Sequence, residues 1–333
     1  MTKKTTLGAT GPEVFPMALG CMGLGEQGSY GSSDDNESIA TVQMAIERGV
    51  NLIDTGDFYS MGRNEMLVGK ALKGRRDKAL LSVKFGGMRG PDGQFVGFDT
   101  RPVAIKNFIS YSLARLGVDY IDIYRPARLD PTVPIEDTIG AIADLVKAGY
   151  VRHIALSEVG VETIERAQKV HPIVDLQIEY ALISRGPETK IFPALANHGI
   201  AVTAYGVLSR GLLTGSKATG PGDWRAHSPR FQGDNMAKNT KLVAELDAFA
   251  ASKKLTPAQV AIAYVRAKGA AMNVTVVPTI GSRTRVQLES SLSAMDVTLT
   301  PAEVATLEAA VPASEVAGTR YVQAQMQMLD SEK

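Results

Sequence analysis

Asp54, Tyr59 and Lys84 are a carboxylate, a phenol and an amine, and brought together they would make a proton donor. A phenol titrates near ~10 and gives up its proton poorly at pH 7. An ammonium about 4 Å away, at an effective dielectric of ~20, stabilises the phenolate by roughly 4 kcal/mol. At about 1.36 kcal/mol per pH unit this brings the phenol toward ~7–8, where it can act as a general acid. Asp54 would keep the lysine charged and aimed. The plainer role for such a pair is an ion pair tying two strands, since a buried lysine and carboxylate are costly unless matched. A Schiff-base lysine would need a neutral amine, and Asp54 argues against that. Borohydride trapping with a carbonyl compound tests it.

Other strings could bind rather than react. Gly281, Ser282, Arg283, Thr284 and Arg285 stand at the start of a helix, where backbone amides, a hydroxyl and guanidinium groups suit an anion such as phosphate. The plain alternative is a solvated first turn. Gly23, Gly25 and Gly28 make a Gly-x-Gly-x-x-Gly string. A dinucleotide-binding turn of that kind needs a helix opening at its last glycine, whereas the next residues, Ser29 to Asn36, favour a loop. His153, His171, His198 and His227 lack metal-ligand spacing, so no metal is expected. Trp224 and Phe231 could wall a pocket or merely anchor their loop.

The elements that must position these groups follow from periodicity. Short β-branched runs at 16–20, 51–54, 79–85, 119–126, 151–157, 173–180, 200–205 and 274–279 read as strands. Between them the period moves toward 3.6: Ile39, Val42 and Ile46 share a face, as do Ile105, Ile109, Leu113 and Leu116, and Ile135, Ile139, Ile142 and Val146. Helices stop at Gly49, Gly117, Gly149 and Gly199. Thr256 with Gln259, and Thr300 with Glu303, form capping boxes with proline at the first helical position. Strand–helix repetition without a linker points to one α/β domain over residues 1–333, a (β/α)8 TIM barrel. Residues 1–15 read as an N-terminal β-hairpin plugging one end, 206–238 as a long loop after strand seven, and 312–333 as an unplaced tail. Asp54, Tyr59 and Lys84 then lie at the C-terminal ends of strands, where barrels keep their chemistry.

Composition excludes several classes. With 36 Lys plus Arg against 35 Asp plus Glu and no basic run, a nucleic-acid partner is not expected. The apolar runs are too short for a bilayer, and a single cysteine, Cys21, forbids an internal disulfide and fits a reducing, cytoplasmic setting. The first residues lack the apolar core of a secretory signal.

Taken in order, several strings resemble the aldo-keto reductase superfamily: Gly20-Cys-Met-Gly23, GVNLIDTGDFYSMGRNE, SVKFG, YIDIYRPARLD, IALSEV, LQIEYALISR, AYGVLSRGLLTG and VVPTIGSRTRVQLESSLSA. The resemblance runs from about residue 5 to about 311, and implies a barrel that uses NADPH to reduce an aldehyde or ketone. It implies catalytic roles for Asp54, Tyr59 and Lys84. It implies cofactor contacts from Gly20, Cys21 and Met22, and a carboxamide held by Ser157 and Gln177. Tyr205 would stack on the nicotinamide, and Gly206, Leu208, Ser209, Arg210, Gly211 and Leu213 would cover the pyrophosphate. Gly281, Ser282 and Arg283, with Arg285 a further candidate, would grip the 2′-phosphate, and Gln287, Ser290 and Ser291 would lie near adenine.

Two departures stand out. Ala127 aligns with the family's catalytic histidine, and Glu158 stands where many members have asparagine. Strand alternation turns Arg125 the same way as position 127, so Arg125 is the candidate to supply positive charge, and Arg125→Ala is expected to cut turnover far more than Arg128→Ala. The Pro-Ala-Arg segment resembles fungal-type pyridoxal reductases. A second reading is a cofactor-binding regulatory subunit resembling the potassium-channel β subunits, for which an aldehyde panel with NADPH is the discriminating measurement.

Overall fold

In a computed structural model that describes residues 3–25, 33–217 and 223–333, twelve strands appear in chain order. They are β1 (Thr5–Thr6), β2 (Glu13–Val14), β3 (Ala18–Gly20), β4 (Leu52–Gly56), β5 (Leu80–Phe85), β6 (Gly87–Arg89), β7 (Phe95–Phe98), β8 (Ile121–Pro126), β9 (Val151–Ser157), β10 (Ile173–Glu179), β11 (Ala201–Tyr205) and β12 (Val276–Gly281). Eight of them, β3, β4, β5, β8, β9, β10, β11 and β12, close in that order into a parallel barrel, the (β/α)8 TIM barrel read from the sequence. Helices between the strands cover the outside, as a parallel sheet requires.

The helical faces bury the residues whose spacing marked them: Val42 and Ile46 in the helix Asp35–Glu47, Ile105, Ile109 and Leu116 in Pro102–Leu116, and Ile135, Ile139 and Ile142 in Ile135–Lys147. Gly117 and Gly199 close their helices in the left-handed region, with φ of 66° and 64°, where a side chain would be strained. Both capping boxes form.

Strand register sets the barrel mouth. Gly20 pairs with Asp54, Gly56 with Lys84, Lys84 with Arg125, and Gln177 with Ser157, so these residues stand toward the C-terminal ends of their strands. At the other end β1 and β2 form the N-terminal hairpin, and its Leu7 and Val14 are fully buried against Ala18, Leu52, Ile123, Ala155, Val174, Ala201 and Val277. The hairpin plugs the barrel floor.

Three segments differ from the sequence reading. A second hairpin, β6–β7, follows β5 and packs toward the mouth, since a side chain at Gly87 would meet the ring of Phe58. The helix Gly233–Ser252 begins inside the stretch read as loop, held by Asn239, whose amide donates to the carbonyls of Arg230 and Ala317. The tail is ordered as short turns at Ala313–Glu315, Gln323–Met326 and Asp330–Glu332. Among the described residues no helix is long and apolar enough to cross a membrane.

Candidate functional site

Asp54 lies one pleat below the end of β4, and Lys84 sits beside it on β5. The Lys84 Nζ lies 2.5 Å from Asp54 Oδ2, with both side chains nearly removed from solvent. Asp54 Oδ1 accepts from Ser82 Oγ at 2.8 Å and from Gln177 Nε2 at 2.9 Å. Burial pushes the Asp54 carboxyl up, but Lys84, Arg125 and the hydrogen bonds outweigh it and hold it below its usual value. Burial also drives Lys84 below the ordinary lysine value, with Asp54 opposing the shift. Burial and Asp54 thus act on the amine in opposite senses.

Tyr59 opens a short 3-10 turn directly after β4. Its ring lies 5.1 Å, centroid to Nζ, from Lys84. The hydroxyl-bearing end lies over Gly56, the residue paired with Lys84, so that a Cβ there would meet the tyrosine Cζ at 3.3 Å. The absence of a side chain at Gly56 lets the phenol lie down over the strand end. The three residues that could form an acid unit are therefore brought together. Asn64 was not singled out by the sequence reading, yet it is buried and ties the site's edges: it accepts from Thr55 Oγ1 and donates to the carbonyls of Cys21 and Leu24 at 2.7 Å. Only its place three residues after the Tyr59–Ser60–Met61 stretch hints at this role.

Arg125 requires a correction. Alternation turns it inward as expected, but its side chain is fully buried deeper in the barrel. Its guanidinium is engaged by Asp175 (2.9 Å to Oδ1), Thr203 Oγ1 (3.1 Å) and Ser82 Oγ (2.8 Å). Alternation fixes the direction of a side chain and not its depth. Arg125 stiffens Asp54 through Ser82 and offers nothing to a molecule at the mouth. The residue at the rim is Arg128, half-buried, whose Nη1 donates to the Ala127 carbonyl at 2.6 Å.

The residues expected to hold a cofactor line one arc of the mouth. Ser157 Oγ, Ser209 Oγ and Ser282 Oγ are all buried, and none has a hydrogen-bond partner among the described residues. Buried hydroxyls are normally satisfied, so three orphans at three expected contact points suit a polar ligand. Gln177 already donates to Asp54. Cys21 is buried and burial pushes its thiol well up, while Met22 is exposed beside it. Gly206 turns the chain after β11 into the 3-10 turn Ser209–Thr214, which contains Gly211 and buried Leu213, with Leu208 just before it. Arg210 donates to Glu179 Oε2 at 3.0 Å, and its guanidinium lies 5.0 Å from the Trp224 ring. Trp224 thus anchors its loop on Arg210. After β12 (ending at Gly281), Arg283 is half-buried and its backbone N–H is capped by Gln287 at 2.8 Å. Arg285 instead pairs with Glu37 at 2.8 Å. Ser290 is exposed and Ser291 bonds its own helix at the Gln287 carbonyl. Gly23 and Gly25 of the Gly-x-Gly-x-x-Gly string are described, Gly25 with a φ of 65°, whereas Gly28 lies outside the described residues. Among the described residues no cluster of His, Cys, Asp or Glu could hold a metal.

The tail supplies groups the sequence reading could not place. Arg320 makes a two-pronged contact with Glu158, 3.0 Å to each oxygen, and Ser331 Oγ donates to Glu158 Oε2 at 2.6 Å. Tyr205 donates to Glu158 Oε1 at 2.6 Å and meets the Tyr321 hydroxyl at 2.9 Å. Asp330 accepts from the Gly160 N–H and from Thr163 Oγ1 at the start of the next helix. The departure at position 158 is therefore a latch for the tail. A cleft of about 910 Å³ bounded by Lys3, Pro16, Arg266 and Asp296 lies at the opposite end of the barrel and holds none of these groups.

A model of the aldo/keto reductase family matches residues 16–312. A probable aldo-keto reductase 1 of Glycine max is 37% identical over 95% of this chain and 90% of its own length. The aldo-keto reductase yakc [NADP(+)] of Schizosaccharomyces pombe is 34% identical over 92% and 91%. Among solved structures, a glycerol dehydrogenase of Gluconobacter oxydans superimposes with a TM-score of 0.82 at 27% identity, covering 94% of this chain and 96% of that one. The holo form of an aldo-keto reductase of Bacillus halodurans gives 0.77 at 27% identity, with 97% and 99% covered.

Proposed function

The chain belongs to the aldo/keto reductase family, and from that membership we propose that it reduces a small aldehyde or ketone to the alcohol with NADPH, Tyr59 giving the proton. The observation that carries this reading is the buried Lys84–Asp54 pair set beside the Tyr59 ring. A reduced nicotinamide, when bound, supplies the hydride. The chain's own part is acid catalysis and positioning. Tyr59 gives its hydroxyl proton to the carbonyl oxygen as that oxygen gains charge. Lys84 steadies the phenolate left behind and is itself held by Asp54, so hydride and proton together account for the alcohol. Arg125, Ser82 and Gln177 keep Asp54 ionised and fixed.

Three features support a dinucleotide along the mouth: the orphaned Ser157, Ser209 and Ser282 hydroxyls. Ser157 would take the carboxamide, Tyr205 the nicotinamide face, the Gly206–Leu213 segment the pyrophosphate, and Ser282 with Arg283 a 2′-phosphate. The choice of NADPH over NADH rests on that last pair, and the yeast relative carries NADP(+) in its name. Because Tyr205 is engaged by Glu158 and Tyr321, the tail must make room for a ring on it.

The test is Tyr59→Phe with an aldehyde panel. Turnover should fall by at least about a hundredfold, the usual worth of a general acid, while NADPH binding followed by fluorescence stays within twofold or so. Retained turnover would defeat the acid assignment. Arg283→Ala should raise the Kd for NADPH at least about tenfold and leave that for NADH unmoved. Equal effects on both would defeat the 2′-phosphate assignment.

A further inference from the structure

Arg128 is a guanidinium at the mouth with no carboxylate beside it. It is half-buried, it gives one hydrogen bond to a backbone carbonyl, and among the described residues no Asp or Glu oxygen lies within 4.0 Å of it. Three other arginines near the rim are matched: Arg210 and Arg230 to Glu179, Arg320 to Glu158 and Glu332. Glu158 lies in the field of Arg128, as do Tyr59, Tyr205 and Tyr321. Both Glu158 oxygens are already spent, one on Arg320, Tyr205 and the Glu179 N–H, the other on Arg320 and Ser331. A cation partly withdrawn from water without a counter-ion is costly, and an anion supplied from outside offsets the cost.

The position says which anion. β8, which delivers Arg128, is four strands from β12 in either direction round the barrel, so Arg128 stands diametrically across from Ser282 and Arg283. It is therefore far from the proposed 2′-phosphate contacts, while Tyr59 lies within its field. A single guanidinium, with one tyrosine hydroxyl of the tail near it, matches one negative charge, and the planar fork matches the two oxygens of a carboxylate.

The geometry points to Arg128 as the group that binds a carboxylate on the substrate, and so to oxo acids and aldehyde acids as the substrate class. This rests on the carbonyl-reductase reading. It reverses the expectation that Arg125→Ala would be the telling variant, because Arg125 is sealed in the barrel with Asp175.

The probes are 4-carboxybenzaldehyde and its methyl ester, of similar shape and differing in charge. The wild-type enzyme should prefer the acid in kcat/KM. Arg128→Met should erase that preference by about 30-fold or more, chiefly through KM for the acid. The ester's kcat and KM should stay within about threefold, a split that a merely structural role would not produce. Arg128→Lys should restore part of the preference. Equal use of acid and ester by the wild type, or a preference that survives in Arg128→Met, overturns the assignment. Should Arg128→Met fail to fold, the wild type still decides: benzoate should compete with the aldehyde and benzamide should not, and equal behaviour of the two overturns it. Benzoate binding can also be read by titration calorimetry without turnover. A protein that binds benzoate through Arg128 yet reduces nothing would sink the reductase reading and leave the anion site standing.

Discussion

Asp57 and Glu158 are buried carboxylates of the same mouth that titrate in opposite directions. Burial, with Glu65 adding to it, pushes Asp57 up to about 8, and its Oδ1 has no hydrogen-bond partner among the described residues, as suits a protonated acid. Glu158 is also pushed up by burial, but Arg320 outweighs this and holds it at about 2. The signs follow from proton linkage. Asp57 binds its proton more tightly folded than unfolded, so its contribution is fully present below pH 3.8 and is lost as pH climbs to about 8. Glu158 behaves the other way: its contribution is present above 4.5 and is lost as pH falls to about 2. Thermal stability should therefore be greatest in mildly acidic buffer and decline toward pH 8, at up to about 1.4 kcal/mol per pH unit from Asp57 alone. Asp57→Asn, which copies the protonated form, should remove most of that decline when melting is followed from pH 5 to 9. An unchanged slope would mean that Asp57 is ionised in the folded protein. Gly56 invites a second variant. Alanine there suits the strand but pushes on the Tyr59 ring, so Gly56→Ala should lower kcat about tenfold or more with little change in melting temperature.

At the scale of elements, the tail is held by few but buried contacts, and one arginine joins it to the barrel. Arg320→Ala would leave Glu158 buried without its main counter-charge, a change of about 3 kcal/mol or more. The loss should be local: hydrogen exchange over residues 313–332 should quicken by orders of magnitude while the barrel strands keep their protection. Exchange that stays slow in the variant would show that Asp330 and Ser331 suffice to hold the tail. None of this could be read from residue patterns, because the Asp330–Gly160 bond spans 170 residues of chain. The eight barrel strands were legible because short apolar runs, most of them rich in β-branched residues, alternate with segments of helical period. The β6–β7 hairpin was not, since its strands are only three and four residues long. Asp54, Tyr59 and Lys84 were legible because a parallel barrel puts adjacent strand ends side by side. Alternation gave the direction of Arg125 but not its depth, which depends on what fills the barrel, here Asp175 and Thr203.

Across the whole molecule the two ends of the barrel divide labour. Among the described non-glycine residues with positive φ, Ser60, Met61, Glu158, Ser209 and Arg210 all stand at the C-terminal mouth, and only Lys254 and Asn273 lie elsewhere. Such backbones cost about 1–3 kcal/mol each and persist where surrounding structure fixes them. At the floor, Leu7 and Val14 of the hairpin are sealed against alanine, valine, isoleucine and leucine side chains from seven barrel strands. Strain at one end must be offset by packing at the other, so the two should be separable by mutation. Leu7→Ala removes a fully buried side chain from the plug and should cost about 2–5 kcal/mol in denaturant unfolding. Its kcat and KM should match the wild type at temperatures where both are folded. Tyr59→Phe should do the converse, keeping stability within about 1 kcal/mol and losing turnover. A Leu7→Ala enzyme whose kcat falls in proportion to its stability would mean that the floor sets the geometry of the mouth, and that the barrel transmits strain along its whole length.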